Sequence, residues 1–353
     1  MSEIELAHVV VAGGAGFIGS AFARTYLARH PTARVTVLDK LTYAGNPRNL
    51  DPVQDDPRFA FVQADIADAA AVGAVLAGAD AVVNFAAETH VDRSILDPDV
   101  FVTTNLVGLN TLLRAAKDAW GDALAKGEPR RFVQVSTDEV YGHVGAGASA
   151  EDAPLRPRNP YSASKAGGDL LAFSYHTNFG LPVLVTRGAN TIGPYQYPEK
   201  ATPLFVTNAL EDLPLPVYGQ GQALRHYLYV DDHAAAVDLV LQRGTPGEAY
   251  NVGAVDEVNT VQLATRILDL LGKPHSLIRF VPDRPAHDYR YHLDSARLEA
   301  LGWRRAYDWE RTISTTVRWY AAHEDWWRPL KSGAYQEYYR RQYGERLGVA
   351  GRA

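Results

Sequence analysis

The chain has 353 residues, 46% hydrophobic and 22% charged, enough for one large α/β domain and a smaller companion. A formal net charge of −6 leaves no basic footprint for nucleic acid, and the absence of cysteine excludes disulfides, thiolate metal sites and a cysteine nucleophile. No stretch approaches the roughly 20 apolar residues of a membrane span, and Met1 to His8 lacks a basic segment followed by an apolar core. The expectation is a cytoplasmic protein with no membrane, nucleic-acid or metal partner.

His8 to Ala12 (HVVVA) is an apolar, β-branched run, as in a strand buried on both faces of a parallel sheet. Gly13 to Gly19 follows, then a helical stretch to about Ala28. Further strands are expected at Arg34 to Leu38, Phe59 to Gln63, Ala81 to Ala86, Arg131 to Ser136 and Pro182 to Thr186. Helices fit Ala67 to Ala77, Asp99 to Trp120 and Pro160 to Asn178. This alternation specifies a doubly wound, Rossmann-type parallel sheet.

Beyond Gly188 prolines and glycines thicken and the elements shorten. A cofactor domain is therefore expected over residues 1–187, with 226–254 returning to it. A smaller α/β substrate domain then takes 188–225 and 255–353. The aromatic end, Trp326 to Arg340, reads as a packing segment rather than a binding tail.

Gly14-Ala15-Gly16-Phe17-Ile18-Gly19 satisfies G-x-G-x-x-G, and Gly13, Gly16 and Gly19 also satisfy the wider spacing. With a strand before and a helix after, such a loop lets the backbone approach a pyrophosphate at a helix N-terminus. A ligand-free glycine turn has the same letters. Asp39, ending the second strand, adds a carboxylate suited to the adenosine ribose hydroxyls, favouring NAD over NADP. Lys40 beside it can tolerate a phosphate. Asp65-Ile66, after the third strand, is placed to meet the adenine, although an Asp capping the next helix looks identical.

Tyr161 and Lys165 are four apart on an expected helix and share a face. An ammonium near the phenol would lower its pKa and let it take a proton from an alcohol. Ser136-Thr137 stands at the end of the fifth strand, ready to hydrogen-bond the reacting hydroxyl. Asp138-Glu139 follows directly, an adjacent carboxyl pair able to serve as acid and base.

Gly13 to Gly19, Ala86-Ala87-Glu88, Ser136-Thr137 and Tyr161-x-x-x-Lys165 resemble the extended short-chain dehydrogenase/reductase superfamily. Asp39 to Gly45 (DKLTYAG), Glu88 to Ser94 (ETHVDRS), Ser136 to Gly142 (STDEVYG) and Tyr161 to Lys165 (YSASK) resemble, more narrowly, the dTDP-glucose 4,6-dehydratases. The likeness runs through Asp283-Arg284-Pro285 to about Tyr338. Related epimerases usually carry small, non-acidic residues at Asp138 and Glu139.

The resemblance implies a lyase with tightly bound NAD. Tyr161 would deprotonate the 4-hydroxyl of the sugar as carbon 4 is oxidised. Glu139 would take the carbon-5 proton, Asp138 would protonate the departing 6-hydroxyl, and reduction at carbon 6 would give a 4-keto-6-deoxy sugar. It also implies cofactor contacts from Phe17, Ile18, Thr42, Ala86, Ala87, Thr104 and Asn190. Substrate contacts would come from Thr89, Thr137, Asn190, Lys200, Pro216, Tyr218, Arg225, Asn259, Arg284 and His287. Arg225 suits a bidentate grip on the diphosphate.

Four departures from the family pattern stand out: Gly188-Ala189 for Cys-Ser or a similar pair, Thr191-Ile192 for Asn-Tyr, Ala286 for Gly and Tyr289 for Arg. A 4-epimerase, a decarboxylase or a UDP-sugar 4,6-dehydratase remains an alternative, as does a non-catalytic NAD binder. The apolar helices near Asp99 and Pro160 suggest a homodimer through a four-helix bundle.

Overall fold

The computed structural model describes residues 4–283, 288–344 and 346–347. Its strands are β1 (His8–Ala12), β2 (Arg34–Asp39), β3 (Phe59–Gln63), β4 (Ala81–Asn84), β5 (Arg131–Thr137) and β6 (Val183–Gly188). They continue with β7 (Asn190–Ile192), β8 (Leu215–Tyr218), β9 (Leu224–Tyr229), β10 (Ala249–Val252), β11 (Glu257–Asn259) and β12 (Ile278–Val281). Seven form one parallel sheet in the order β10-β6-β5-β4-β1-β2-β3. Val9, Val10, Val11, Val82 and Val83 are fully buried, because helices cover both faces.

The strand order reverses between β1 and β4, where a doubly wound sheet opens a crevice beyond its strand ends. Gly13 turns there at φ +74°, and a Cβ on it would lie 2.4 Å from the Ala86 nitrogen. Only glycine lets the two strand ends meet.

Two expectations about the connections change. The Asp99-to-Trp120 helix is a continuous run reaching Ala125, but its Thr103–Gly108 portion is wound as a π-helix. That turn places the buried Asn105 side chain so that it accepts from the Glu88 nitrogen at 2.9 Å. It also donates to the Glu88 carbonyl and the Ser164 hydroxyl. The 226–254 stretch divides: β9 joins a small sheet with β7 and β11, while only β10 reaches the edge of the large one. Between them the helix Val230–Arg243 packs on the helix Phe17–Arg29.

A second core gathers Ile192, Phe205, Leu263, Ile267, Ile313, Val317, Trp326 and Trp327 around the two smaller sheets. Both Trp326 and Trp327 are buried, so the aromatic C-terminal segment does pack. Among the described residues, no helix is long and apolar enough to cross a membrane.

Candidate active site

A cleft of roughly 390 Å³ runs from the crevice between β1 and β4 to the smaller sheets. Gly13, Gly16, Phe17, Ile18, Gly19 and Ala87 line one end. Thr137, Asp138, Glu139, Tyr161, Lys165 and Asn190 line the middle, and Thr89, Lys200, Pro216, Tyr218 and Arg225 the far end. Residues from widely separated parts of the chain thus share one cavity.

The cofactor end fits a dinucleotide. A Cβ on Gly19 would sit 2.4 Å from the Gly13 carbonyl, so glycine there lets the helix pack closely on the turn that a pyrophosphate would approach. The helix Phe17–Arg29 starts at Gly16 with no side-chain cap, leaving its first amides available for an anion. Asp39 ends β2, accepting from the Ala15 and Leu41 nitrogens at 3.0 and 2.8 Å. Burial raises its pKa above the usual carboxylate value despite those bonds.

Lys40 pairs with Asp65 at 2.6 Å, so its charge already has a partner. Asp65 also accepts from the Ala67 nitrogen, as a turn-capping residue does, while Asp68 caps the Ala69–Leu76 helix. Ile66 is buried against Gly108, Thr42 is exposed in the loop after β2, and Thr104 sits on the π-helical turn. These residues, with Asp39 and Ala86, flank the cleft rather than line it.

At the centre, β5 ends in Thr137, which caps a short helix Asp138–Tyr141 by accepting from the Glu139 nitrogen at 3.3 Å. The Thr137 hydroxyl donates to Asp138 at 3.2 Å, and Asn159 donates to Glu139 at 3.4 Å. Asp138 is only 5% exposed. Burial, reinforced by the Glu139 charge and opposed by Arg225, pushes its pKa up to about 7. The two adjacent carboxyls therefore sit in unlike environments, one sealed and one partly open.

Tyr161 starts the helix Pro160–Phe179, held by an Asn159 capping box. Its phenol is pushed upward by burial and by Glu139 and Asp138, with a Thr137 hydrogen bond pulling the other way. Lys165 lies one turn on, also buried, and burial lowers it to about 8. Its amine donates to the Val135 carbonyl at 2.7 Å rather than to the phenol. The phenol-activating contact expected from the four-residue spacing is absent here. Sharing a helix face places both groups in the cleft without joining them.

The far end is more heavily self-bonded than the sequence suggests. Arg225 donates to the carbonyls of Leu224, Asp288 and Tyr289 and lies 4.5 Å over the Tyr291 ring. A bidentate diphosphate grip would use donors engaged here. Lys200 donates to the Thr89 carbonyl at 2.6 Å. Asn259 caps the helix Thr260–Leu271 and stands outside the cleft lining. Arg284, Ala286 and His287 lie outside the described residues. The Asn190 side-chain oxygen, by contrast, is buried with no partner among the described residues, as suits a ligand contact.

Several lining residues carried no sequence signal. Gln342 and Tyr343 come from the C-terminal segment, and Tyr343 reaches the cleft beside Tyr218. Gln342 donates to both Asp92 and the Tyr218 hydroxyl, at 2.9 and 2.6 Å. Tyr343, just past the packing segment Trp326 to Arg340, thus walls the substrate end. His233 lines the cleft with its ring across Gly188, where a Cβ would lie 2.4 Å from Cε1. That contact is a physical reason for glycine where the family pattern has a larger residue.

Residues 10–316 match the family model described as GDP-mannose 4,6 dehydratase. A dTDP-glucose 4,6-dehydratase of Streptomyces niveus is 47% identical over 92% of this chain and 96% of its own. A Neisseria meningitidis protein of the same description is 44% identical over 93% and 97%. Among solved structures, the dTDP-glucose 4,6-dehydratase DesIV of Streptomyces venezuelae, with NAD and TYD bound, superposes at a TM-score of 0.88. It is 48% identical and covers 92% of this chain and 100% of its own. A Thermus thermophilus UDP-glucose 4-epimerase in complex with NAD follows the same fold at 30% identity, covering 90% and 99%, with a TM-score of 0.81. Scaffold and cofactor end are thus common to dehydratases and epimerases, while close identity over nearly full length narrows the choice: the chain belongs to the dTDP-glucose 4,6-dehydratase family.

Proposed function

We propose that this enzyme is a hydro-lyase converting dTDP-glucose to dTDP-4-keto-6-deoxyglucose with NAD as a recycled cofactor. The observation that carries the reading is the buried Asp138, held near pKa 7 directly beside Glu139. A sealed carboxyl directly beside a partly open one suits an acid and a base working in one elimination. An epimerase has no elimination to catalyse.

NAD, when bound, supplies the hydride acceptor for carbon 4 and the donor for carbon 6. Tyr161, oriented by Thr137, removes the 4-hydroxyl proton. The resulting ketone acidifies carbon 5, whose proton Glu139 takes. Asp138, protonated, gives its proton to the leaving 6-hydroxyl, which departs as water, and Glu139 returns its proton to carbon 5 as carbon 6 is reduced. Gly13, Gly16 and Gly19 shape the pyrophosphate seat, Asp39 serves the adenosine ribose, and Asn190 offers its orphaned oxygen to the ligands. Lys165 holds the end of β5 through Val135. Thr89, Lys200, Pro216, Tyr218 and Arg225 form the nucleotide-diphosphate end. We propose a cytoplasmic location, which the absence of a membrane-spanning helix among the described residues is consistent with.

Incubation with dTDP-glucose and UDP-glucose separately, with products weighed by mass spectrometry, tests this. Loss of one water from dTDP-glucose, without accumulation of reduced cofactor, is expected. An unchanged mass with inverted carbon 4 would establish an epimerase.

The working unit we propose is a homodimer. The Asp99–Ala125 run and the Pro160–Phe179 helix pack closely, with Gly167 and Gly168 against Leu106 and Leu109. Their outer faces leave Val107 53% and Leu170 62% exposed, with Val100 and Val102 beside them. Apolar side chains grouped this way suit a two-fold interface. Val107→Glu with Leu170→Glu is expected to halve the mass seen by light scattering, and an unchanged mass would remove this face from the interface.

A further inference from the structure

Beyond the reacting groups, one cation stands where four parts of the chain meet. Arg93, in the short helix Val91–Leu96 after β4, donates from Nε to Glu199 at 2.9 Å. Its guanidinium lies between two rings, 4.0 Å from the centroid of Tyr43 and 4.5 Å from that of Tyr338. Glu199 is 4% exposed, and Tyr43 hydrogen-bonds to it as well. Tyr43 also meets Tyr197 edge-on at 5.5 Å. Tyr43, Arg93, Glu199 and Tyr338 come, in turn, from the loop after β2, the helix after β4, the segment before the helix Ala201–Leu210, and the C-terminal helix Ala334–Tyr339.

The loop bearing Tyr43 runs from one cofactor contact to the next. It leaves Asp39, whose carboxylate accepts from the Leu41 nitrogen, and ends where the Asn46 nitrogen donates to the Ala15 carbonyl of the glycine-rich turn. Ala44, next to Tyr43, lines the same cleft as Gly16 and Phe17, and Glu199 lines it from the opposite side. Arg93 therefore ties the edge of the cofactor seat to the substrate side across the cleft. The carboxylate and the two ring faces call for a planar, delocalised cation, which arginine supplies and lysine does not.

We propose that Arg93 is a positioning residue that clamps the 41–46 loop over the bound dinucleotide and sets its residence time. The reaction gives this a purpose. The electrons taken from carbon 4 must return to carbon 6 of the same molecule, so cofactor lost between those steps would strand a half-processed sugar. The proposal rests on the NAD reading of the site.

The test is the dissociation rate of NAD from purified holoenzyme, chased with excess labelled NAD, alongside melting temperatures with and without NAD. Arg93→Leu is expected to release NAD about tenfold faster or more, the scale of two desolvated ring contacts and an ion pair. Arg93→Lys, keeping the charge but not the plane, should fall between it and the parent. Tyr43→Leu removes the loop half of the clamp while leaving the Arg93–Glu199 pair, and should speed release likewise, which keeps the test decisive if Arg93→Leu fails to fold. Release within twofold of the parent in the soluble variants, with melting temperatures lowered equally with and without NAD, would overturn the clamp and leave a structural ion pair. A parent protein that never retains NAD would instead refute the cofactor reading itself.

Discussion

Replacing Tyr161 with phenylalanine is expected to lower turnover by about 10²–10⁴-fold, the range for loss of a positioned acid–base group. The ring is retained, together with its edge-on contact to Phe101 at 6.3 Å, so folding should survive. What disappears is the one hydroxyl in the cleft beside Thr137 that can accept the 4-hydroxyl proton. Single-turnover mixing with dTDP-glucose should show no transient reduced-cofactor absorbance in this variant. The unaltered enzyme should show a small transient that decays as product forms. A transient of normal size in Tyr161→Phe would move the base elsewhere. In this arrangement the phenol stands high because it is buried beside two carboxyls, and Lys165 is turned to Val135.

The second large effect belongs to the carboxyl pair. Glu139→Gln should leave the first oxidation intact, so that the transient appears and persists, while water loss falls by a similar 10²–10⁴-fold. Equal and complete loss of the transient in Glu139→Gln and Tyr161→Phe would refute this division of labour. Asp138 adds a pH signature. As the acid it must be protonated, so turnover should decline as pH rises through about 7. Asp138→Asn should be slow throughout and lack that limb.

Stability should fall over the same range of pH. The folded-state pKa of Asp138 lies above its unfolded value of 3.8, so the folded form holds a proton that the unfolded chain releases between those values. Its stability contribution is complete below pH 3.8 and lost as pH rises through about 7. Asp138→Asn should therefore melt with the parent near pH 4 and several degrees above it at pH 8, with an upper bound of about 4 kcal/mol. Coincident melting at both values would mean that folding does not raise the pKa of Asp138.

Much of the site could be read in advance because its signals are local. A β-branched run followed by closely spaced glycines states its own geometry, and two residues four apart on a helix share a face wherever that helix lies. Thr137, Asp138 and Glu139 are adjacent in the chain, so one strand end delivers all three. The large sheet was legible for the same reason, each strand being a short apolar run with a helix after it. What local pattern could not reach was pairing at a distance. Nothing in Leu224 to Tyr229 says that it lies between β7 and β11 instead of entering the large sheet. Nor does the C-terminal end announce that Gln342 will meet Asp92 or that Tyr338 will cover Arg93.

The same limit divides the chemistry. Residue types, spacing and a family resemblance were enough to propose the reacting groups and the dinucleotide loop, since those depend on short stretches of chain. The state of each group was settled by what folding packed around it. Burial with Glu139 on one side and Arg225 on the other holds Asp138 near neutrality. A carbonyl one strand away captures Lys165, and main-chain oxygens from residues 224, 288 and 289 engage Arg225. Sequence determined which groups are present and in which elements. Tertiary structure alone decided their protonation, partners and reach, because desolvation and Coulomb interaction depend on neighbours in space and not on neighbours in the chain.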